Sequence, residues 1–501
     1  MKVTLINPPL CVQSNDPFTT GVVYMPMALA GAGAALRKAG FDVNAIDVFG
    51  SSPRKASVRG KFWYFGLPLD RIADMGIAGS LAVVIYANHL TSHAAVCEIS
   101  GLVKARFPEI PVVILENTQA VTGYSLKHVA AEFYTAGADF ILTGEPEERV
   151  VRLMAVLQTP GGMTQAVALD GIGGKDFYFP AKEVIHELDL LEFPAWDLFP
   201  LENYWALGFA HGPLTAKKYM PVLTSRGCPY VCKFCVIPST NRLGWRARSA
   251  VNVVDELEFW NRKYGITEFH VEDVDPTVSD ERTRALCAEI LKRGLRVFWK
   301  LVSGTKVETL KNETTIDLMA EAGCRYISIS PETGSPRVLK LMNKPFNLEH
   351  AVKMAKRMSE KGIRIQACFV LGFPGEQDAD RAMTQALVHD LTRKGVDEIA
   401  LFIITPVPGS AISGELTGYS SLSELNFTPI WRKDYKQLVT FRFKLYLLFI
   451  IWKMRYYPQR IFGQIVRFML RRFETKMEMV PFRAMRLKQW SGSAGRSGSS
   501  L

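Results

Sequence analysis

The chain has 501 residues, 48% of them apolar and 22% charged, with a net charge of +11. That length allows about three domains, and the composition is that of an ordinary globular protein, not a disordered or collagenous one. No window approaches the roughly eighteen uncharged apolar residues of a membrane span.

The opening MKVTLINPP reads as a buried strand cut off by Pro8 and Pro9, unlike a leader peptide. A cytoplasmic protein is expected. The eight cysteines are too few for a secreted disulfide framework in a chain this long. Five of them (Cys11, Cys97, Cys287, Cys324 and Cys368) stand singly in helix or strand patterns, where small buried side chains sit. The positive charge is local. Between Trp431 and Trp490 there are fifteen Lys or Arg against three Asp or Glu, so the first 430 residues are close to neutral.

In chain order, residues 1–157 alternate strand and helix. Short apolar runs at Lys2–Asn7, Asp42–Asp47, Leu81–Tyr86, Val112–Leu115 and Phe140–Thr143 are separated by helical patterns such as Pro26–Gly40 and Glu147–Leu157. Continuous apolar strands separated by helices predict a doubly wound parallel sheet covered on both faces. Residues 158–215, glycine-rich and then proline-spaced, read as a linker with one hairpin.

From 216 to 425 the β/α alternation resumes. Strands are predicted at Pro221–Ser225, Thr267–Glu272, Arg296–Leu301, Tyr326–Ser330, Arg364–Leu371 and Glu398–Thr405. Six βα units imply a partial (β/α)6 barrel whose site lies at the carboxyl strand ends. Residues 426–490 read as a basic helical region. Within it, Phe441–Arg455 (FRFKLYLLFIIWKMR) is too short to span a bilayer. It is either a helix closing the barrel or one lying at a membrane surface, with Tyr446 and Trp452 as interfacial aromatics. Residues 491–501 read as a flexible polar tail.

TSRGCPYVCKFC directly follows the first barrel strand. Cys228, Cys232 and Cys235 in one loop can hold three irons of a cubane cluster and leave the fourth iron open. A structural zinc site is the competing reading, but it needs a fourth donor, and no Cys or second His follows in the loop.

This triplet, with aromatic Phe234 before the last cysteine, resembles the signature of the radical S-adenosylmethionine superfamily. The resemblance implies a 4Fe-4S cluster whose open iron binds the amino and carboxylate groups of S-adenosylmethionine, then reductive cleavage to a deoxyadenosyl radical. It further implies that Glu272 and Asp273 (in FHVEDVDP) lie near the methionine moiety. Glu332 and Ser335 (in SISPETGS) are then expected at the ribose or amino group, and Gly372, Phe373 and Gly375 (in VLGFPGE) at the adenine. No catalytic residue is assigned.

YMPMALAGAGAALRKAGFDVNAIDV, AGADFILTGEPEERVVRLM and FPAWDLFP resemble the subgroup with an N-terminal cobalamin-binding, Rossmann-like domain, which implies cobalamin as a further cofactor. Two features depart from the pattern. No Asp-x-His-x-x-Gly motif supplies a lower cobalt ligand, and Glu116, Asn117 and Thr118 replace the glycine pair after the fourth strand. His89 and His93, at the third strand's end, read first as ordinary hydrogen-bonded residues.

The resemblance points to a cobalamin-dependent C-methyltransferase acting on an unactivated carbon of a lipid, natural product or tetrapyrrole, with a reductant such as flavodoxin or ferredoxin. A radical cyclase on the same scaffold and a non-catalytic iron–sulfur or metal-binding scaffold remain as alternatives. Peripheral membrane contact through the C-terminal region is open. Nucleic acid ranks last, since no RNA-binding module is recognisable.

Overall fold

The computed structural model describes every residue except 121, 242–243 and 495–501. In the first domain, β1 (Lys2–Asn7), β2 (Asp42–Asp47), β3 (Ser80–Ala87), β4 (Val112–Glu116) and β5 (Phe140–Leu142) run parallel in the order β5-β4-β3-β1-β2. Alternate residues enter two separate cores. Val3, Leu5, Ala82 and Val84 face one; Ile6, Val83 and Ile85 face the other. Burial on both faces is why these strands carry unbroken apolar runs. The order reverses between β1 and β3, which opens a crevice beyond their carboxyl ends.

Part of the stretch read as linker belongs to this sheet. A hairpin, β6 (Ile172–Gly174) and β7 (Phe177–Tyr178), adds antiparallel to the β5 edge. A small antiparallel sheet of Leu10–Gln13, Phe62–Phe65 and Ala56–Arg59 has no counterpart in the sequence reading.

The second domain is an open barrel of six parallel strands in sequence order: β8 (Met220–Val222), β9 (Glu268–Val271), β10 (Phe298–Thr305), β11 (Cys324–Glu332), β12 (Arg364–Leu371) and β13 (Glu398–Ile403). The edges β8 and β13 do not pair. Three helices follow, Tyr435–Tyr456, Pro458–Leu470 and Lys476–Ala494. The flexible tail expected from residue 491 starts later, because Ser491–Ala494 complete the last helix. Trp490 packs there on Phe65 and Phe209, with ring centroids 6.5 and 6.0 Å away, and carries the helix past itself. The rest of that tail, 495–501, lies outside the described residues.

Near the amino ends of the barrel strands, Lys300 Nζ donates to Glu268 Oε1 at 2.8 Å, and both side chains are fully buried. Glu268 also accepts from the backbone N–H of Thr215 and Ala216, which ties the interdomain segment to the barrel floor. Breaking such a pair strands a charge, whereas removing both charges does not. Lys300→Met is expected to lower unfolding free energy by about 3–5 kcal/mol in urea titration, and Glu268→Gln with Lys300→Met to recover most of the loss. Equal losses in both variants would refute this.

Candidate functional site

The cysteine loop leaves β8 under tight restraint. The Thr224 backbone N–H donates to Asp273 Oδ1 at 2.7 Å, and the Thr224 and Ser225 hydroxyls donate to Asp273 Oδ2 at 2.7 and 2.5 Å. Next in sequence, the buried Arg226 guanidinium makes a two-pronged bond to Glu147 of the first domain, at 2.6 and 3.0 Å. Gly227 then turns at φ +79°, where a Cβ would stand 2.0 Å from the Gly244 carbonyl oxygen. Only glycine fits that bend.

Beyond the bend the three thiols gather. Burial pushes Cys228 and Cys235 up to about 12 and raises Cys232. Charge on Cys232 raises both neighbours, and charge on Cys228 raises Cys235, so each thiol feels the others' charge. Among the described residues no group of three or more His, Cys, Asp or Glu is arranged around a single ion, these three cysteines included. Three thiols that lose their protons on metal binding fit a cubane cluster held at three corners.

Two lysines absent from the sequence reading stand beside this loop. Lys344, buried, donates to Glu332 Oε1 at 2.5 Å and lies 5.9 Å from the Phe234 ring. Burial lowers its pKa, but the charge of Glu332, followed by those of Cys232 and Asp275, holds it above the ordinary lysine value. Lys306 Nζ sits 3.9 Å over the Tyr230 ring. Asp275 is buried and its Oδ1 has no partner; burial raises its carboxyl to about 7. Two ammonium groups and two carboxylates, one with an unmet acceptor, suit the carboxylate and ammonium of a free amino acid.

The other expected positions divide. Glu332 is in this group, on a left-handed backbone at φ +63°. Phe234 and Phe373 share one apolar cluster with Val338 and Met342, joining the cysteine loop to the end of β12. Gly372 and Gly375 both adopt positive φ, +73° and +85°. The Gly372 carbonyl accepts from Arg432 Nη2 at 2.9 Å, and a Cβ there would meet Leu438 and Arg432. Asp273 does not face the methionine position, because its carboxylate is used on Thr224 and Ser225. Ser335 caps the short helix Pro336–Leu341 and donates to Asp380 Oδ1 at 2.6 Å. Glu272 accepts from or shares a proton with His211 Nδ1 at 2.6 Å.

That last pair belongs to a polar cluster where the domains meet: Tyr24, His89, His211, Glu272 and Lys476 are all half-buried. The Tyr24 ring lies between two imidazoles, 4.6 Å from His89 and 4.5 Å from His211. Burial lowers His89 to about 4, so it is neutral near pH 7, and its Nδ1 shares a hydrogen bond with Thr122 Oγ1 at 2.7 Å. His93 is spent elsewhere, on Tyr124 and Glu132.

At the end of β4, two of the residues that replace the glycine pair, Glu116 and Asn117, are engaged by backbone groups, while Thr118 lines a cavity. Glu116 accepts the backbone N–H of Leu126 and of Gly144, each at 3.0 Å. Asn117 donates to the Asn88 carbonyl at 2.8 Å. A cavity between β4 and helices Met27–Lys38 and Pro146–Leu157 remains, lined by Met27, Ala28, Gly31, Thr118 and Gln119. Gln119 Oε1 is buried there without a partner. That unmet acceptor suits a ligand carrying amide and hydroxyl donors, as cobalamin does.

Comparison with known proteins agrees with this geometry. Over 475 residues the chain is 27% identical to cytidylyl-2-hydroxyethylphosphonate methyltransferase of Streptomyces wedmorensis, covering 87% of this chain and 85% of that one. It is 29% identical to an uncharacterised methyltransferase, PH0819, of Pyrococcus horikoshii, over 51% of each, and so spans about half the length of that relative. The solved structure of TsrM from Kitasatospora setae, a radical S-adenosylmethionine methyltransferase with cobalamin and a [4Fe-4S] cluster bound, superposes with a TM-score of 0.61 at 18% identity. The match covers 82% of this chain and 74% of that one, and shows the shared fold. Residues 222–388 match the radical SAM superfamily. The three-thiol loop, at the mouth of the open β/α barrel, lies inside that matched segment.

Proposed function

We propose that the protein is a cobalamin-dependent radical S-adenosylmethionine methyltransferase that places a methyl group on an unactivated carbon of a small molecule. The observation that carries this reading is the meeting of the two sites. The cysteine loop is bolted to the first domain through Arg226 and Glu147, and Tyr24 and His89 of the first domain meet His211 and Glu272 beside the barrel. The Streptomyces wedmorensis relative, alike over most of both chains, is itself a methyltransferase.

When bound, the cluster supplies the electron that cleaves S-adenosylmethionine, and cobalamin carries the methyl group. The chain's own residues bind, orient and shield. Lys344 and Lys306 would hold the methionine carboxylate, Glu332 and Asp275 its ammonium, and the backbone at Gly372 and Gly375 would take the adenine. Tyr24, His89, His211 and Glu272 would orient the substrate and shield the reacting carbon from water. A small electron-transfer protein such as flavodoxin or ferredoxin is the reductant. An apolar natural product, lipid or tetrapyrrole is the substrate class.

Two tests follow from this assignment. Ala at Cys228, Cys232 or Cys235 should abolish iron and sulfide retention and deoxyadenosine release. Lys344→Met should keep the iron while weakening S-adenosylmethionine binding roughly tenfold or more, the worth of a lost charged contact. Iron retained in all three cysteine variants, or unchanged binding in the lysine variant, would refute the assignment. Anaerobic purification with cobalamin supplied should then give cobalt on the chain and methylated product from turnover. Cobalt absent, with deoxyadenosine still released, would remove methyl transfer and leave the radical step.

A further inference from the structure

We propose that the helices Tyr435–Tyr456 and Pro458–Leu470 dock the protein on the surface of an anionic lipid bilayer. Their apolar faces are inverted relative to a core helix. On the first, Leu438, Leu445 and Phe449 are buried against the barrel, while Phe443, Leu447, Ile451 and Met454 form a second stripe that points to solvent. On the second helix only Gln464 is buried. Phe462, Ile465, Val466, Met469 and Leu470 repeat at helical spacing on its outer side, Phe462 70% and Met469 74% exposed. Scattered exposed apolar residues are ordinary; two adjoining stripes mark an interaction surface.

Charge decides what covers it. From Tyr435 to Phe473 the chain carries nine Lys or Arg and no Asp or Glu. Cations turned inward are bonded to the protein: Arg460 pairs with Asp397 at 3.2 Å and Arg467 with Glu478 at 3.0 Å, while Lys453 donates to the Asp397 carbonyl and to Gln464 Oε1. The exposed Lys444, Arg455, Arg471 and Arg472 make no ion pair among the described residues. Apolar stripes rimmed by unpaired cations match the acyl boundary and anionic headgroups of a bilayer surface. A second copy is a poorer match, because a two-fold interface would set the same cations against each other.

The docking is peripheral. Among the described residues no helix is long and apolar enough to cross a membrane. Tyr446 and Trp452, expected from sequence as interfacial aromatics, instead face inward. The Tyr446 hydroxyl accepts from the Leu401 N–H at 3.1 Å, and Trp452 packs 4.7 Å from His389. Phe443 and Phe462 hold the outward positions.

Flotation of the full chain with vesicles tests this. Vesicles of equal parts phosphatidylcholine and phosphatidylglycerol should capture the protein, and phosphatidylcholine alone should capture little. Capture should fall as salt rises. Phe462→Ser with Met469→Ser, and separately Arg471→Glu with Arg472→Glu, should each weaken partition roughly tenfold or more. Unchanged circular dichroism would certify that these exposed substitutions leave the fold intact. Equal recovery with both vesicle types, or capture unaffected by either double variant, overturns the proposal. So does a concentration-dependent dimer that the same serine variants dissolve, since the face would then be occupied by a second copy. Deoxyadenosine release without vesicles should not change in these variants, so this outcome is independent of the enzymatic reading.

Discussion

Arg226 is the hinge pin of the architecture. It lies two residues before Cys228, is buried, and meets Glu147 at the start of helix Pro146–Leu157 in a bidentate pair, with Glu145 3.7 Å away. Arg246, beside Arg226 in a short antiparallel pairing, binds Glu145 at 2.8 Å. A buried ion pair contributes little net stability compared with a well-packed apolar contact, but its directional geometry can fix one register. Here the registered object is the cysteine loop, fixed at once to the barrel through Asp273 and to the first domain through Glu147. Neither domain can shift without dragging the loop.

That restraint is shared by further bonds between the domains. Asn241 Nδ2 donates to the Thr118 carbonyl at 3.0 Å, and the Ser125 N–H donates to the Pro408 carbonyl at 3.0 Å, so the loops after β4 are stitched to the barrel rim. Between these stitches the junction stays polar: a tyrosine between two imidazoles, a carboxylate paired with one of them, and a lysine. Burial lowers the pKa of His89 and His211, so the junction presents neutral rings that can donate or accept without carrying charge.

The parts legible in the sequence were those encoded locally. Strands buried on both faces write themselves as continuous apolar runs, and β1, β2 and β12 have the expected bounds. The cysteine loop was legible because its three donors share one short segment. The small sheet built on Ala56–Arg59 was not, since that strand is largely exposed and polar and acquires its structure from Phe62–Phe65. Lys344 and Asp275 were equally silent, because a lone lysine in NKP or aspartate in VDP carries no signal until distant strands bring it to the cysteines. Asp273 shows the converse. Its place at a strand end was visible, but the choice between facing ligand and holding Thr224 depends on side-chain direction, which alternates along a strand. Ser491–Ala494 looked unstructured by composition and are helical because Trp490 anchors them.

The last helix links the outer surface to the interior. Five residues separate exposed Leu470 from Lys476, which is half-buried and donates to the Val302 carbonyl at 3.0 Å. Between them, Phe473 is buried and its N–H donates to the Leu214 carbonyl at 2.6 Å, so the chain turns inward at a fixed point. The helix then runs to the first domain, where Arg483 Nη2 donates to the Phe18 carbonyl at 2.5 Å and Gly21 gives room to Leu487. A barrel of six strands leaves β8 and β13 unpaired, and this helix spans the resulting structure from floor to partner domain. One continuous segment therefore carries the exposed cationic face, a half-buried ammonium group and the clamp on the loop that bears Tyr24.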